Sequence, residues 1–308
     1  MLKIYQQTIS KAISFEGIGL HSGLKSKITI LPGIEDQGIV FKRIDLQKKN
    51  FIKSSFKNVS ASRLCTTLEN EYGSKVSTVE HLLAALYIAE IDNAVIEIDN
   101  EEIPIMDGSA KIFLNVLEKT EVKILKKKRK YLKILEKFEL VDGQKKISIE
   151  PSNFNFEVNF KLNFRNKVIG NQSNKVNFSK DNLNDIINSR TFCLYEDIEK
   201  IKKAGFAKGG SLENALVVDK EKVLNEDGLR NPKEFVNHKI LDLAGDFLLS
   251  GFRILGKIDC YQGGHELSNM FLTKLIANKS IFEIFELKET FITKRLNSAH
   301  SSRIAVNA

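Results

Sequence analysis

Cysteine is scarce in this chain, and its scarcity narrows the chemistry. The three residues Cys65, Cys193 and Cys260 lie far apart and form no C-x-x-C pair, which excludes a disulfide framework and a cysteine zinc site. Any bound metal must then be held by histidine and carboxylate. Also missing is an apolar run long enough to span a bilayer, and the N-terminus, MLKIYQQTISKAISFEG, has no signal-peptide core. A cytoplasmic protein without a transmembrane segment is expected. The net charge of +8 allows an anionic partner. Yet basic residues are not interleaved with aromatics and no reader motif is present, so nucleic acid is not the partner expected. The densest basic run, KKKRK at 126–130, reads as a solvated connector between domains, the alternative being a functional basic patch.

A length of 308 residues is about twice the usual domain size, so two domains are expected, 1–125 and 131–308 on either side of that basic linker. In the first, KSKITILP and GIVFKRID alternate as strands do, STVEHLLAALYIAE (77–90) fits a helix, NAVIEID a strand, and a second helix runs from about Ser109 to Glu118. In the second, YLKILEKFEL, KKISIEP, FNFEVNFKLNF and RILGKIDCY read as strands, with helices around His238 and near 265–278. Strands followed by helices in each half give an α+β class, with helices on one face of each sheet. Residues 188–215 interrupt the second half with a glycine-bearing insertion, a feature more often functional than decorative.

Histidine is also rare, at five residues, and each can be weighed. His300 falls in a polar tail and reads as solvated. His21, in GIGLHSG, is either a loop histidine or part of a site. His265 follows Gly263 and Gly264, which let the backbone approach a neighbour closely. In FVNHKILDLAGD, His238, Asp242 and Asp246 recur at four-residue steps and form one stripe on a helix. That stripe is either the wet face of an amphipathic helix or part of a metal site, since ligands one turn apart converge on one ion. His81 follows Glu80 on a largely apolar helix. Glu80 itself has two readings, the closing residue of a Ser77-x-x-Glu80 capping box or a general base. Together His81, His238 and Asp242 supply two imidazoles and a carboxylate, the donor set of catalytic zinc sites that leave one position open. Iron(II) suits the same donors. Glu80 and His265 then remain as base and acid.

STVEHLLAAL with IDN (91–93), EIPIMDGSA (102–110), SRTF (189–192), VLNEDGLR (223–230), HKILDLAGD (238–246) and GGHELSN (263–269) closely resemble the UDP-3-O-acyl-N-acetylglucosamine deacetylases of lipid A biosynthesis. The resemblance implies two similar domains whose helical layers pack together between two outer sheets. It implies one zinc on His81, His238 and Asp242, with Glu80 as general base and His265 as general acid or oxyanion-stabilising cation. Asp246 would orient and charge that histidine, and Thr191 would help hold the oxyanion. Phe192 and Lys239 match substrate contacts, Lys239 near the diphosphate. His21 is counted with the substrate contacts as well. The 188–215 insertion would form a passage for the acyl chain, to which Leu194, Tyr195, Ile198 and Phe206 could contribute. The expected partner is the UDP-linked acylated glucosamine, and a monomer is expected. The rivals are a zinc hydrolase of another amide and a non-enzymatic basic binding protein.

Overall fold

The computed structural model describes residues 2–288, so His300 and the end of the second expected domain lie outside the described residues. The helices are α1 (Glu80–Ile88), α2 (Lys111–Glu118), α3 (Asn184–Ile187), α4 (Ile198–Lys203), α5 (Glu234–Leu248) and α6 (His265–Ala277). Two large sheets accompany them. The first has the spatial order Ile13–Ile18, Lys25–Pro32, Ala94–Ile98, Ile39–Arg43, Phe51–Lys53, antiparallel except for the pairing of Ile39–Arg43 with Ala94–Ile98. Its alternation is that of a sheet with one covered face: in Lys25–Pro32 the residues Ser26, Ile28 and Ile30 are buried between more exposed neighbours.

The second sheet is built around Arg253–Tyr261. Its last six residues pair with Lys145–Pro151 and with Phe156–Asn163, and its first three, Arg253 to Leu255, pair with Lys130–Ile134. Each large sheet thus draws its strands from one side of Arg129. Phe113 of α2 packs edge-on against Phe15 of the first sheet, at 5.0 Å. Phe247 of α5 lies against Phe156 of the second sheet and stacks on Phe271 of α6, at 6.2 and 5.9 Å. The helical layers meet where α1 packs on α5, so the buried apolar residues of both halves form one continuous cluster. Each fully buried large aliphatic or aromatic side chain there contributes roughly 1.5–3 kcal/mol. Among the described residues no helix is long and apolar enough to cross a membrane.

Several sequence expectations are corrected by this architecture. The helix expected over 77–90 is shorter, and YLKILEKFEL is two strands, Lys130–Ile134 and Phe138–Asp142, which are not neighbours in the sheet. The 188–215 insertion carries strand Phe192–Leu194 and α4. The run at 126–130 is only in part the solvated connector expected, with Lys126, Lys127 and Lys130 exposed. It passes from strand Val122–Lys128, paired with Tyr5–Ile9, into strand Lys130–Ile134, and Arg129 between them is only 2% exposed.

Arg129 is buried because it fastens the seam. Its Nε and Nη2 donate to Asp92 at 3.0 and 2.8 Å, Nη2 also donates to the Glu90 carbonyl at 2.8 Å, and Nη1 pairs with the Glu90 carboxylate. From the second sheet, Arg253 donates to the carbonyls of Tyr87, in the last turn of α1, and of Ile91, where a cation complements the helix dipole. Burial opposes ionisation of Glu90, but Arg253 and Arg129 outweigh it and hold its carboxyl below the usual range. Replacing Arg129 by Met leaves Asp92 short of its main donor, and urea unfolding should show a loss of about 3 kcal/mol at neutral pH. A depressed carboxyl stabilises above its unfolded pKa and loses that contribution as pH falls further. The deficit of Arg129→Met should therefore be largest above the ordinary Glu value of 4.5 and shrink below it.

Candidate metal centre and active site

Helix α5 is not amphipathic in the ordinary sense. From Glu234 to Leu248 every residue but Lys239 is buried, and His238, Asp242 and Asp246 are 1, 3 and 3% exposed, so the polar stripe is not a wet face. It faces α1, and the two helices touch through backbone. A Cβ on Gly245 would stand 2.1 Å from the carbonyl oxygen of Glu80, so only glycine permits this crossing.

The start of α1 resolves the two readings of Glu80 against the cap. Residue Val79 caps the helix without any side-chain hydrogen bond, and the amide and hydroxyl of Ser77 both donate to the Glu101 carbonyl, at 2.8 and 3.2 Å. The Glu80 carboxylate accepts instead from the amide of Thr66 at 3.0 Å. The chain enters the helix through Thr78 at φ 57°, a costly conformation for a β-branched residue, and the Thr78 hydroxyl is tied to buried Glu102 at 2.9 Å.

Where the helices cross, His81, His238 and Asp242 converge. Asp242 Oδ1 lies 3.5 Å from His81 Nε2 and 3.3 Å from His238 Nε2, and the two rings stand nearly perpendicular. A tetrahedral zinc with ligand distances of about 2.0–2.2 Å spaces its donors by about 3.3–3.6 Å, which these atoms already satisfy. Asp242 Oδ1 is buried, accepts no hydrogen bond and faces two imidazole nitrogens, an arrangement that suits a cation. Burial drives the His238 imidazole down to about 3 against the opposing pull of Asp242, so the ring is neutral and its Nε2 lone pair is available. The Ser189 carbonyl, 3.3 Å from His238 Nδ1, fixes that tautomer. Burial also works against the Asp242 charge, but the Lys239 ammonium, 2.8 Å from Oδ2, and the charged His265 help keep the carboxylate well below the usual range. These three residues form a zinc-binding site.

Beside it stand the other titratable groups. His265, the first residue of α6, sets Nδ1 2.9 Å from Asp246 Oδ2 and Nε2 3.7 Å from Glu80 Oε1. Burial disfavours charge on this ring, yet Asp246, Glu80 and Asp242 outweigh it and raise it to about 10. Burial raises Glu80 above the usual carboxyl range, opposed by His265 and His81. Glu266 is exposed, unlike the buried groups of this cluster.

A cavity of about 350 Å³ opens next to these groups, lined by Leu20, Leu64, Val217 and Leu224 among others. Of the residues singled out from sequence, Thr191, Phe192, Tyr195, Ile198 and His21 line it. The Phe192 ring also lies 6.1 Å from that of His238. His21 presents a buried Nε2 without a hydrogen-bond partner. Leu194 does not join them. It lines a neighbouring groove with Phe164, Arg165, Lys167 and Lys220, and Phe206 packs edge-on against the His21 ring. Lys239, expected near a phosphate, is bonded through Nζ to Asp242 Oδ2 at 2.8 Å.

Residues 6–277 match the family model described as UDP-3-O-acyl N-acetylglycosamine deacetylase. The chain belongs to this family. The UDP-3-O-acyl-N-acetylglucosamine deacetylase of Syntrophotalea carbinolica is 40% identical to it over 287 residues, 93% of this chain and 92% of the relative. That of Geotalea uraniireducens is 39% identical, covering 92% of each chain. That of Shewanella baltica is 41% identical, covering 93% of this chain and 94% of the relative.

Within the deacetylase fold of this chain, sequence reasoning passed over the residues that anchor the metal helix. Glu234 stands one turn before His238, so the four-residue stripe has an earlier member. It is wholly buried and accepts from the amide and Nε of Arg190, at 3.1 and 2.8 Å, and from the amide of Arg230 at 2.6 Å. This pair welds the start of α5 to the SRTF segment, whose Ser189 carbonyl orients His238. The four-residue step, extended backwards, was the available signal. His81→Ala, His238→Ala and Asp242→Ala should each lower zinc per chain from one to under about a tenth while circular dichroism stays as in the parent, because the surrounding core is large. Full zinc content in any two of them would overturn the ligand set.

Proposed function

We propose that this deacetylase removes the N-acetyl group from a UDP-linked, 3-O-acylated N-acetylglucosamine, releasing acetate and a free amine. The observation that carries this reading is the buried His81, His238 and Asp242 donor set beside the Glu80 carboxylate, with Phe192 between the His238 ring and an apolar cavity. When bound, zinc supplies Lewis acidity to water and to the acetyl carbonyl. Glu80, with Oε2 held by Thr66 and Oε1 free of hydrogen bonds to protein, takes the proton of the attacking water. The charged His265, held by Asp246, together with the Thr191 hydroxyl, stabilises the oxyanion. A proton delivered to nitrogen completes cleavage of the C–N bond. Net, one water is added across the amide.

The cavity lined by Phe192, Tyr195, Ile198 and His21 takes the acyl chain, and the neighbouring groove with Arg165, Lys167, Lys220 and Phe164 offers cations and a ring to the nucleotide. Lys239 serves the diphosphate by leaving Asp242, its side chain being about a quarter exposed. We also take the protein to be a cytoplasmic monomer of two domains, 1–125 and 131–308. The division into two is supported by each large sheet drawing its strands from one side of Arg129.

Acetate release from the UDP-linked substrate tests the reaction, and a simple N-acetyl peptide is the control for a general amidase. Glu80→Gln keeps the acceptor for Thr66 but cannot take a proton. It should retain zinc and fold while losing about 10²- to 10⁴-fold in turnover, and near-parental turnover would remove Glu80 as base. A hydroxamate carrying a fatty tail should inhibit at a concentration at least about tenfold lower than the bare hydroxamate, since the tail buries apolar surface in the cavity. Equal potency would mean that the cavity is not the acyl passage.

A further inference from the structure

We infer that Thr66 is a positioning residue for the reaction, one that holds both working carboxylates at once. It comes from the loop before strand Thr67–Glu69, 180 positions from Asp246, and is only 2% exposed. All three of its polar groups are used. The hydroxyl donates to Asp246 Oδ1 at 2.7 Å, the amide donates to Glu80 Oε2 at 3.0 Å, and the carbonyl accepts from the Val79 amide at the entry to α1.

The consequence is a division of labour within each carboxylate. Asp246 has Oδ1 fixed by Thr66 and Oδ2 on His265 Nδ1, so the plane of the carboxylate, and with it the imidazole, is set from two sides. Glu80 has Oε2 fixed by the Thr66 amide, which leaves Oε1 directed toward His265 Nε2 and the space between them. A carboxylate held by one hydrogen bond can rotate about its last torsion, whereas one held at both oxygens cannot do so without losing a charge-assisted bond. The hydroxyl is thus the part of Thr66 that acts through Asp246, and the amide the part that acts through Glu80. This rests on the reading of Glu80, Asp246 and His265 as the reacting set.

Four variants separate the two. Thr66→Val is nearly isosteric and removes only the hydroxyl, Thr66→Ser keeps it, and Asp246→Ala removes the group it holds; the fourth combines Thr66→Val with Asp246→Ala. If Thr66→Val does not fold, Thr66→Ala takes its place. Thr66→Val should lower kcat about 10- to 100-fold, the factor a charge-assisted hydrogen bond corresponds to, with KM and zinc per chain as in the parent. Thr66→Ser should stay within about threefold of the parent, and in the Asp246→Ala background Thr66→Val should cost less than about twofold more. Parental kcat in Thr66→Val with a crippled Asp246→Ala overturns the inference, as do multiplying losses in the double variant or loss of zinc in Thr66→Val. Parental kcat in Asp246→Ala overturns the reading on which it rests.

Discussion

Backbone against backbone, at the crossing of α1 and α5, is the contact on which the site depends. Gly245 lets the Glu80 carbonyl come within what would be bonding range of a side chain, and no other residue type allows that approach. His81 and Glu80 ride on one helix, His238, Asp242 and Asp246 on the other. Donor atoms spaced at 3.3–3.5 Å tolerate only tenths of an ångström of drift, so the crossing has to be rigid. The two ends of the seam are accordingly fixed by charge: Arg129 and Arg253 at the C-terminal end of α1, Arg190 and Glu234 at the start of α5.

The same geometry explains how so much charge is kept out of water. Carboxylates at Glu80, Asp242 and Asp246 and an imidazolium at His265 lie within one dry cluster, which is costly unless each is bonded. Thr66, Lys239 and His265 supply those bonds. Within the cluster Asp242 Oδ1, which faces the Nε2 atoms of both His81 and His238, is left unbonded. That oxygen is the part that a cation would complete.

How legible this was in the chain depended on the range of each interaction. The stripe of His238, Asp242 and Asp246 is a local fact of helix geometry and could be read directly, as could the apolar alternation of Lys25–Pro32. Long motifs such as STVEHLLAAL and GGHELSN link the distant ligands through the family they resemble. Where local and distant partners compete, the chain alone leaves a tie: Ser77 and Glu80 have capping-box spacing, yet Thr66 claims the carboxylate. Composition misled at 126–130, because whether an arginine lies in water or in the seam is decided by Asp92 and Glu90, more than thirty positions away. Thr66 escaped notice for the same reason, since the Asp246 that its hydroxyl holds is 180 positions away.

The burial of α1 on all sides has a consequence for how the protein is made. From Glu80 to Tyr87 every residue is covered, and α5 supplies much of that cover. Synthesis proceeds from the N-terminus, so α1 leaves the ribosome long before the helix that roofs it. Until Asp246 emerges, 180 positions after Thr66, the first half carries an uncovered apolar helix, a lone histidine without its co-ligands and a glutamate without its counter-charge. For about half of its translation the chain thus exposes an apolar surface that only α5 covers, and the complete metal site can form only once the two halves dock.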